Sequence, residues 1–399
     1  MSLQNASAFD QMCEHVLTTV PKPVHYPPIT SQKELQEVLR YVMTPLAVLS
    51  HPPKLPPSAQ PATSYYDRTM ARLHCRHHQI FGRVHISASF EYPQRSLFQA
   101  KAFPIHLCEF HSTQSSILAA GYGTRLQRDI AVDSSGRFEK QKGVSKALLP
   151  LAGTPLIGHW LALLDGIADS LSSDAFVICN GANHTQFLDW ASSSSFPRER
   201  IFNDGTLSNE TRLGATTDLS LAISHFSLDD PSKYKAVLVV AGDTLFLKDF
   251  SLESFLLLAT SASTTPAPCL VASYTVEKDI DTLKTGILTT NAADFLPFGA
   301  TSNVIRVTSL LEKPHPNETT SRLACPCFYY LSSPSLPFVH QFVKDSIAKG
   351  EGLEARDAAG KLIAWLVTVY PVYTVGVSGR LDIGGLQSYI DAEEYLKQE

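Results

Sequence analysis

The chain has 399 residues, 44% of them hydrophobic, and a formal net charge of −5 at pH 7. That length and apolar content suit a folded protein with a sizeable core and exclude a chain disordered throughout. The slight acidity leaves no electrostatic footprint for nucleic acid or an anionic membrane surface, so neither is expected as a partner. Seven cysteines, at 13, 75, 108, 179, 269, 325 and 327, are odd in number and lack framework spacing. No apolar run reaches the roughly eighteen residues of a membrane span, and the N-terminus MSLQNASAFDQMCEHVL has no basic stretch leading into an apolar one. A soluble, cytoplasmic protein is expected.

In chain order, a composition shift comes first. Residues 1–113 carry ten Lys and Arg against seven Asp and Glu, while the rest carries 23 against 31; nine of the 14 histidines also precede residue 114. The stretch HPPKLPPSAQPATS, His51 to Ser64, cannot pack as helix or central strand. Residues 1–113 are therefore expected to be an N-terminal extension, largely without persistent structure and without a catalytic part. From 114 the chain alternates short apolar runs with amphipathic ones, the pattern of an α/β domain with a mostly parallel sheet. AFVICNG (175–181) and AVLVVAGD (236–243) predict buried strands whose polar ends face the ligand side of such a sheet. PLIGHWLALLDGIADSL predicts a helix opening on Pro155. PCLVASYTV, TGILTT, NVIRVTSLLEKP and RLACPCFYYL predict the strands of a second half, and LPFVHQFVKDSIAKG and GLQSYIDAEEYLK predict closing helices. The first strand is weak by this pattern: EFHSTQSSILAAG supplies only Ile117, Leu118 and Ala119 before its loop.

Function-bearing residues cluster at the ends of these elements. In ILAAGYGTRL, Gly121 and Gly123 suit either a tight strand-to-helix turn or backbone N–H groups offered to an anion, with Arg125 as the cation beside them. Lys146 follows in SKALLPLAGTPLI. Asp243 in VVAGDTLF stands at the end of a buried strand, poorly placed for stability and well placed to hold a divalent cation. LLEKPHP brings Glu312 and Lys313 to another strand end, and GRLDIGG offers Asp382.

From about residue 115 onward, LAAGYGTRL, SKALLPL, AGDTLF and LEKP, with LDIGGLQSYIDA as a looser fifth, stand in an order that resembles the sugar-phosphate nucleotidylyltransferase family. The resemblance implies a Rossmann-like (GT-A-like) α/β fold with a mostly parallel central mixed sheet, divided into a nucleotide-binding half, 114–245, and a sugar-phosphate-binding half, 246–399. It implies an Mg²⁺-dependent enzyme that transfers a nucleoside monophosphate from an NTP to a sugar 1-phosphate, releasing pyrophosphate; the other reading is an inactive nucleotide-sugar-binding or regulatory protein of the same fold. By the resemblance, Gly121 and Gly123 meet the triphosphate, Arg125 the departing pyrophosphate, and Lys146 the reacting phosphates. Asp243 and Asp382 hold Mg²⁺, Lys313 takes the sugar phosphate, and Glu312 the sugar hydroxyls. Gly214 in NETRLGA lies by the nucleobase or simply opens a helix, and Gly286 in KTGILTT lies by the sugar or marks a strand irregularity. Asn180 and Asn209 read as caps or turns. Where the family usually has tryptophan two residues before the acid matched by Asp382, this chain has Arg380. The long polar segment from Arg125 to Lys146 is expected to form a mobile flap, and a homo-oligomer is compatible with all of this.

Overall fold

The computed structural model describes residues 113–398 apart from 168–173, 261–263 and 299–301. The expectations for residues 1–112 lie outside the described residues. The nucleotide-side half runs β1 (Thr113–Ala119), α1 (Thr124–Val132), a small hairpin of β2 (Pro150–Leu151) and β3 (Thr154–Pro155), α2 (Leu156–Asp165), β4 (Phe176–Cys179), α3 (His184–Ser194), β5 (Ile201–Asn203), α4 (Ala215–Phe226), β6 (Ala236–Ala241) and β7 (Thr244–Phe246). The second half continues with α5 (Leu252–Thr260), β8 (Cys269–Thr275), β9 (Gly286–Phe298), β10 (Ser302–Glu312), β11 (Leu323–Cys325), β12 (Phe328–Ser332), α6 (Leu336–Ala348), α7 (Glu354–Asp357), α8 (Ala359–Val369), β13 (Val372–Gly376), β14 (Arg380–Asp382) and α9 (Leu386–Lys397).

Ten of these strands form one mixed sheet in the order β11-β9-β10-β13-β8-β12-β6-β1-β4-β5. The parallel part is β6, β1, β4 and β5, joined through helices, together with the β13–β8 pair; β12 runs antiparallel between β6 and β8, and β9, β10 and β11 pair antiparallel. The sheet is covered on both faces, as its apolar alternation shows. Leu238 and Val240 of β6 join Leu126, Trp160, Phe187 and Phe255 on one face, whereas Val237 and Val239 join Leu219, Ile223, Val339 and Leu366 on the other. This period of two, with apolar residues on both faces, is why β6 reads as a continuous hydrophobic run. Because β1, β4, β5 and β6 are parallel, their carboxyl ends share one edge, and Gly121, Asn180, Asp204 and Asp243 all follow those ends. No helix among the described residues is long and apolar enough to cross a membrane.

Two expectations are corrected here. β1 is not short: it pairs with β6 from Thr113 to Leu118 and with β4 from Ser116 to Ala119. Thr113, Gln114, Ser115 and Ser116 are consequently buried although they are polar. Two flanking strands supply the backbone ladder that this segment's side chains do not favour, a tertiary override of local pattern. The segment 125–146 is likewise no free flap. Gln127 donates to the carbonyls of Gln141 and Val144 and accepts from the Gly143 amide, and Gln186 of α3 holds Gly143 and Ser145.

Ser116 lies opposite Phe176 and Val239, fully buried, with no hydrogen-bond partner for its hydroxyl among the described residues. Removing a buried hydroxyl without a partner relieves a desolvation cost on the order of 1 kcal/mol. Ser116→Ala is expected to raise the urea midpoint by a corresponding amount with an unchanged m-value. A loss of stability would show that the hydroxyl is satisfied in solution.

Candidate active site

The loop after β1 carries the first two predicted glycines. Gly123 caps α1 in a left-handed conformation, φ 62°, which glycine adopts without strain, and a Cβ there would stand 3.2 Å from Cγ of Lys146. The missing side chain therefore makes room for the lysine. Around Gly121 a Cβ would meet nothing within 4 Å, so that backbone borders open space. Lys146 reaches over to Asp243, with Nζ 3.2 Å from Oδ2. Asp243 is delivered to the same edge because the Gly242 amide donates to the Leu118 carbonyl at 2.8 Å, and a Cβ on Gly242 would also fall 2.8 Å from that oxygen.

The second acid arrives from the other end of the chain. β14 pairs antiparallel with β7, setting Asp382 opposite Thr244, and the Ile383 amide donates to the Asp243 carbonyl at 2.9 Å. Arg380 joins the two acids: its Nη1 is 3.5 Å from Asp382 Oδ1 and 3.4 Å from Thr244 Oγ1, which is 3.5 Å from Asp243 Oδ1. Arg380 also donates through Nε to the Tyr274 hydroxyl at 3.1 Å. The residue that replaces the expected tryptophan is thus a nearly buried cation knitting the acids together. Arg125, on the first turn of α1, has no ion-pair partner among the described residues; its Nη1 and Asp382 Oδ2 lie 3.6 and 3.5 Å from where a Gly384 Cβ would be. Arg125, Lys146, Asp243 and Asp382 are therefore brought together. The two acids remain 37% and 46% exposed, so their oxygens can still meet a ligand. Two carboxylates of this kind suit Mg²⁺, which takes one or two protein oxygens and leaves its other positions to water and phosphate. No group of three or more potential metal-ligating side chains occurs among the described residues.

Glu312 and Gly286 form a separate cavity of about 130 Å³, also lined by Arg380 and Cys327. The Glu312 carboxylate lies where a side chain on Gly360, at the start of α8, would be, and 3.2 Å from a Cβ on Gly286. Both glycines make way for the acid. Burial pushes the Glu312 carboxyl above its ordinary value, while Lys313, Lys361 and Arg380 pull it back down. Cys327 is pushed up to about 12, chiefly by burial, and is a neutral thiol in the wall. Lys313 does not line the cavity: it is 56% exposed, 4.0 Å from Glu312, with φ at 51°.

Gly214, φ 90°, opens α4, but a Cβ there would strike the backbone of Arg356 and Asp357 at 2.8 to 2.9 Å. Its glycine is required by α7, which Arg212 anchors through two bonds to Asp357. Asn180 donates to the Ala120 carbonyl and accepts from the Asn183 amide, a turn-forming role. Sequence reasoning missed Asp218, one turn into α4. It is buried, and the signal was present in LGATTDLSLAI, where helical spacing sets an acid on the face shared with Ala222.

Comparison with known proteins gives no matching family model and no matching curated relative. Among solved structures the chain is similar to an apo UDP-glucose pyrophosphorylase, at 15% identity over 71% of this chain and 97% of that one, TM-score 0.49. It is similar to a UDP-glucose pyrophosphorylase complexed with UDP-glucose, at 18% identity over 72% and 99%, TM-score 0.49. A third is the CTP:phosphocholine cytidylyltransferase of Streptococcus pneumoniae, at 17% identity over 72% and 100%, TM-score 0.46.

Burial first, then the charges of Asp204 and Asp357, push the Asp218 carboxyl up to about 8. Facing it is Tyr122, whose phenol is itself raised by burial and by Asp204, Asp218 and Glu210. In the unfolded chain an aspartate titrates near its ordinary value of about 4. The folded protein thus keeps a proton that the unfolded chain gives up. Stability from this group is complete below the unfolded value and is lost as pH rises through about 8. Urea denaturation from pH 5 to 8 is expected to show wild type losing stability relative to Asp218→Asn as pH rises. Parallel curves would remove the buried-acid account.

Proposed function

We propose that the protein is a nucleotidyltransferase that joins a nucleoside monophosphate, taken from an NTP, to a sugar 1-phosphate or closely related phosphorylated acceptor. The observation that carries this reading is the convergence of Arg125, Lys146, Asp243 and Asp382 at the carboxyl edge of the parallel strands, next to the open backbone at Gly121. An acceptor phosphate oxygen attacks the α-phosphorus, the bond to the β-phosphate oxygen breaks, and pyrophosphate leaves. The nucleophile is already an anion, so no general base is needed and the obstacle is repulsion between like charges. Fixed cations in a partly desolvated site are the means to lower it.

In this reading Gly121 and Gly123 offer backbone donors to the triphosphate and Arg125 neutralises the leaving pyrophosphate. Lys146, held in place by Asp243 until substrate arrives, bridges the reacting phosphates. Asp243 and Asp382 would hold Mg²⁺, which supplies further charge neutralisation when bound. Glu312, at the cavity bordered by Gly286, takes hydroxyls of the acceptor, and the exposed Lys313 meets its phosphate.

Pyrophosphate release, assayed with the common NTPs and dTTP against a panel of phosphorylated acceptors, is expected only when NTP, acceptor and Mg²⁺ are all present. EDTA should abolish it. Turnover that survives EDTA would remove the metal roles of the two acids, and silence across the panel would favour an inactive, ligand-binding protein of this fold.

Lys146→Ala is expected to lower kcat about a hundredfold or more, the scale for losing one preorganised charge at a reacting centre, with little change in Tm. Lys313→Ala should instead raise KM for the acceptor more than for the NTP. Equal effects on both substrates would contradict that division of roles.

A further inference from the structure

Arg380 stands where the two parts of the candidate site meet. It and Asp382 are two residues apart on β14, so both side chains leave the same face of that strand. On the side of the acids the guanidinium reaches Asp382 and Thr244, and it also lines the cavity that holds Glu312 and Gly286. Of the two cations paired with Asp243 and Asp382, which are Lys146 and Arg380, only Arg380 lines that cavity.

Its donors are not all spent. A guanidinium carries five N–H groups in one plane. Nε donates to the Tyr274 hydroxyl and Nη1 serves Thr244 and Asp382, but Nη2, with two N–H groups, has no hydrogen-bond partner among the described residues. Nη2 is also not closed off from solvent, although the side chain as a whole is only 13% exposed. A charge drawn this far out of water is ordinarily paired in full, and an anion entering the cavity would supply the acceptors that are missing.

Resting on the nucleotidyltransferase reading, we infer that Arg380 binds the phosphate of the acceptor through Nη2. In that reading the body of the acceptor lies by Glu312, and its phosphate has to reach the α-phosphorus beside Asp243 and Asp382. The phosphate therefore passes the junction that Arg380 occupies. Lys313 does not supply the charge needed there, because it is 56% exposed and lies outside the cavity lining. A contact made from the desolvated wall is screened less than one made at the rim. The planar fork also lets one side chain meet a phosphate oxygen while it keeps Asp382, which the point charge of a lysine does less well. Arg380 thus holds the acid in place and brings the nucleophile to it.

The test is steady-state pyrophosphate release by the full chain, using the acceptor that turns over in the panel above. Arg380→Gln is expected to raise KM for the acceptor about tenfold or more, the scale of one charge-assisted hydrogen bond, with KM for the NTP within about threefold of wild type. The increase should persist as Mg²⁺ is raised to saturation. Arg380→Lys, which keeps the charge and loses the fork, should fall between wild type and the glutamine variant. A residue that merely steadied Asp382 would shift the Mg²⁺ requirement, and acceptor KM would return to the wild-type value once metal saturates; that result overturns the proposal. A larger effect on the NTP than on the acceptor also overturns it, since Nη2 would then face the triphosphate. Where wild type binds the acceptor in EDTA, calorimetric titration should show the same ratio without metal, and equal affinities overturn the proposal. If the glutamine variant does not fold, the lysine variant decides, and an acceptor KM equal to that of wild type is the overturning result. Silence of wild type across the panel overturns the nucleotidyltransferase reading itself and the proposal with it.

Discussion

The Lys146–Asp243 pair joins two segments that are 97 residues apart, and the candidate site is arranged around it. Its value does not lie in stability, since a pair with one partner more than a third exposed contributes little once solvent screening is counted. It lies in position. Gly123 leaves space for the lysine stem, and Gly242 allows the β6 end to close on the Leu118 carbonyl, so cation and acid meet at the mouth of the same strand edge.

The second layer of the site depends on a buried cation. Arg380 is held by Tyr274, Thr244 and Asp382, and it reaches both the acid cluster and the cavity that contains Glu312. A guanidinium suits this position because it spreads its donors in a fixed plane and stays charged when desolvated. Tryptophan, expected there by resemblance, offers a single N–H donor and no charge. In this chain Asp382 is held by an ion pair with Arg380.

Both halves of the site keep acids where burial disfavours their charged forms. Glu312 sits over Gly360 and Gly286, and Asp218 is buried in the first turn of α4. Each is raised chiefly by desolvation. Such placements cost the folded protein stability.

Much of this was legible in the sequence. The strands ending at Cys179 and Ala241 follow from unbroken apolar runs, the helices from Leu336 and Leu386 from their spacing, and the grouping of Arg125, Lys146, Asp243 and Asp382 from the order of short motifs around them. What could not be read there was anything set by partners distant in the chain. Thr113 to Ser116 have the composition of a loop, yet they form a central strand because β4 and β6 leave one seat between them. Gly214 reads equally as a nucleobase contact or a helix start, and the close approach of α7 to it is not visible in the sequence; Gly360 and Arg380 have no local signal at all. Apolar periodicity and strand-end chemistry are properties of neighbouring residues, so the sequence alone determined the α/β class and the charged set. Strand pairing, burial and the partners of a buried charge depend on which segments meet in space, and only the tertiary structure decided those.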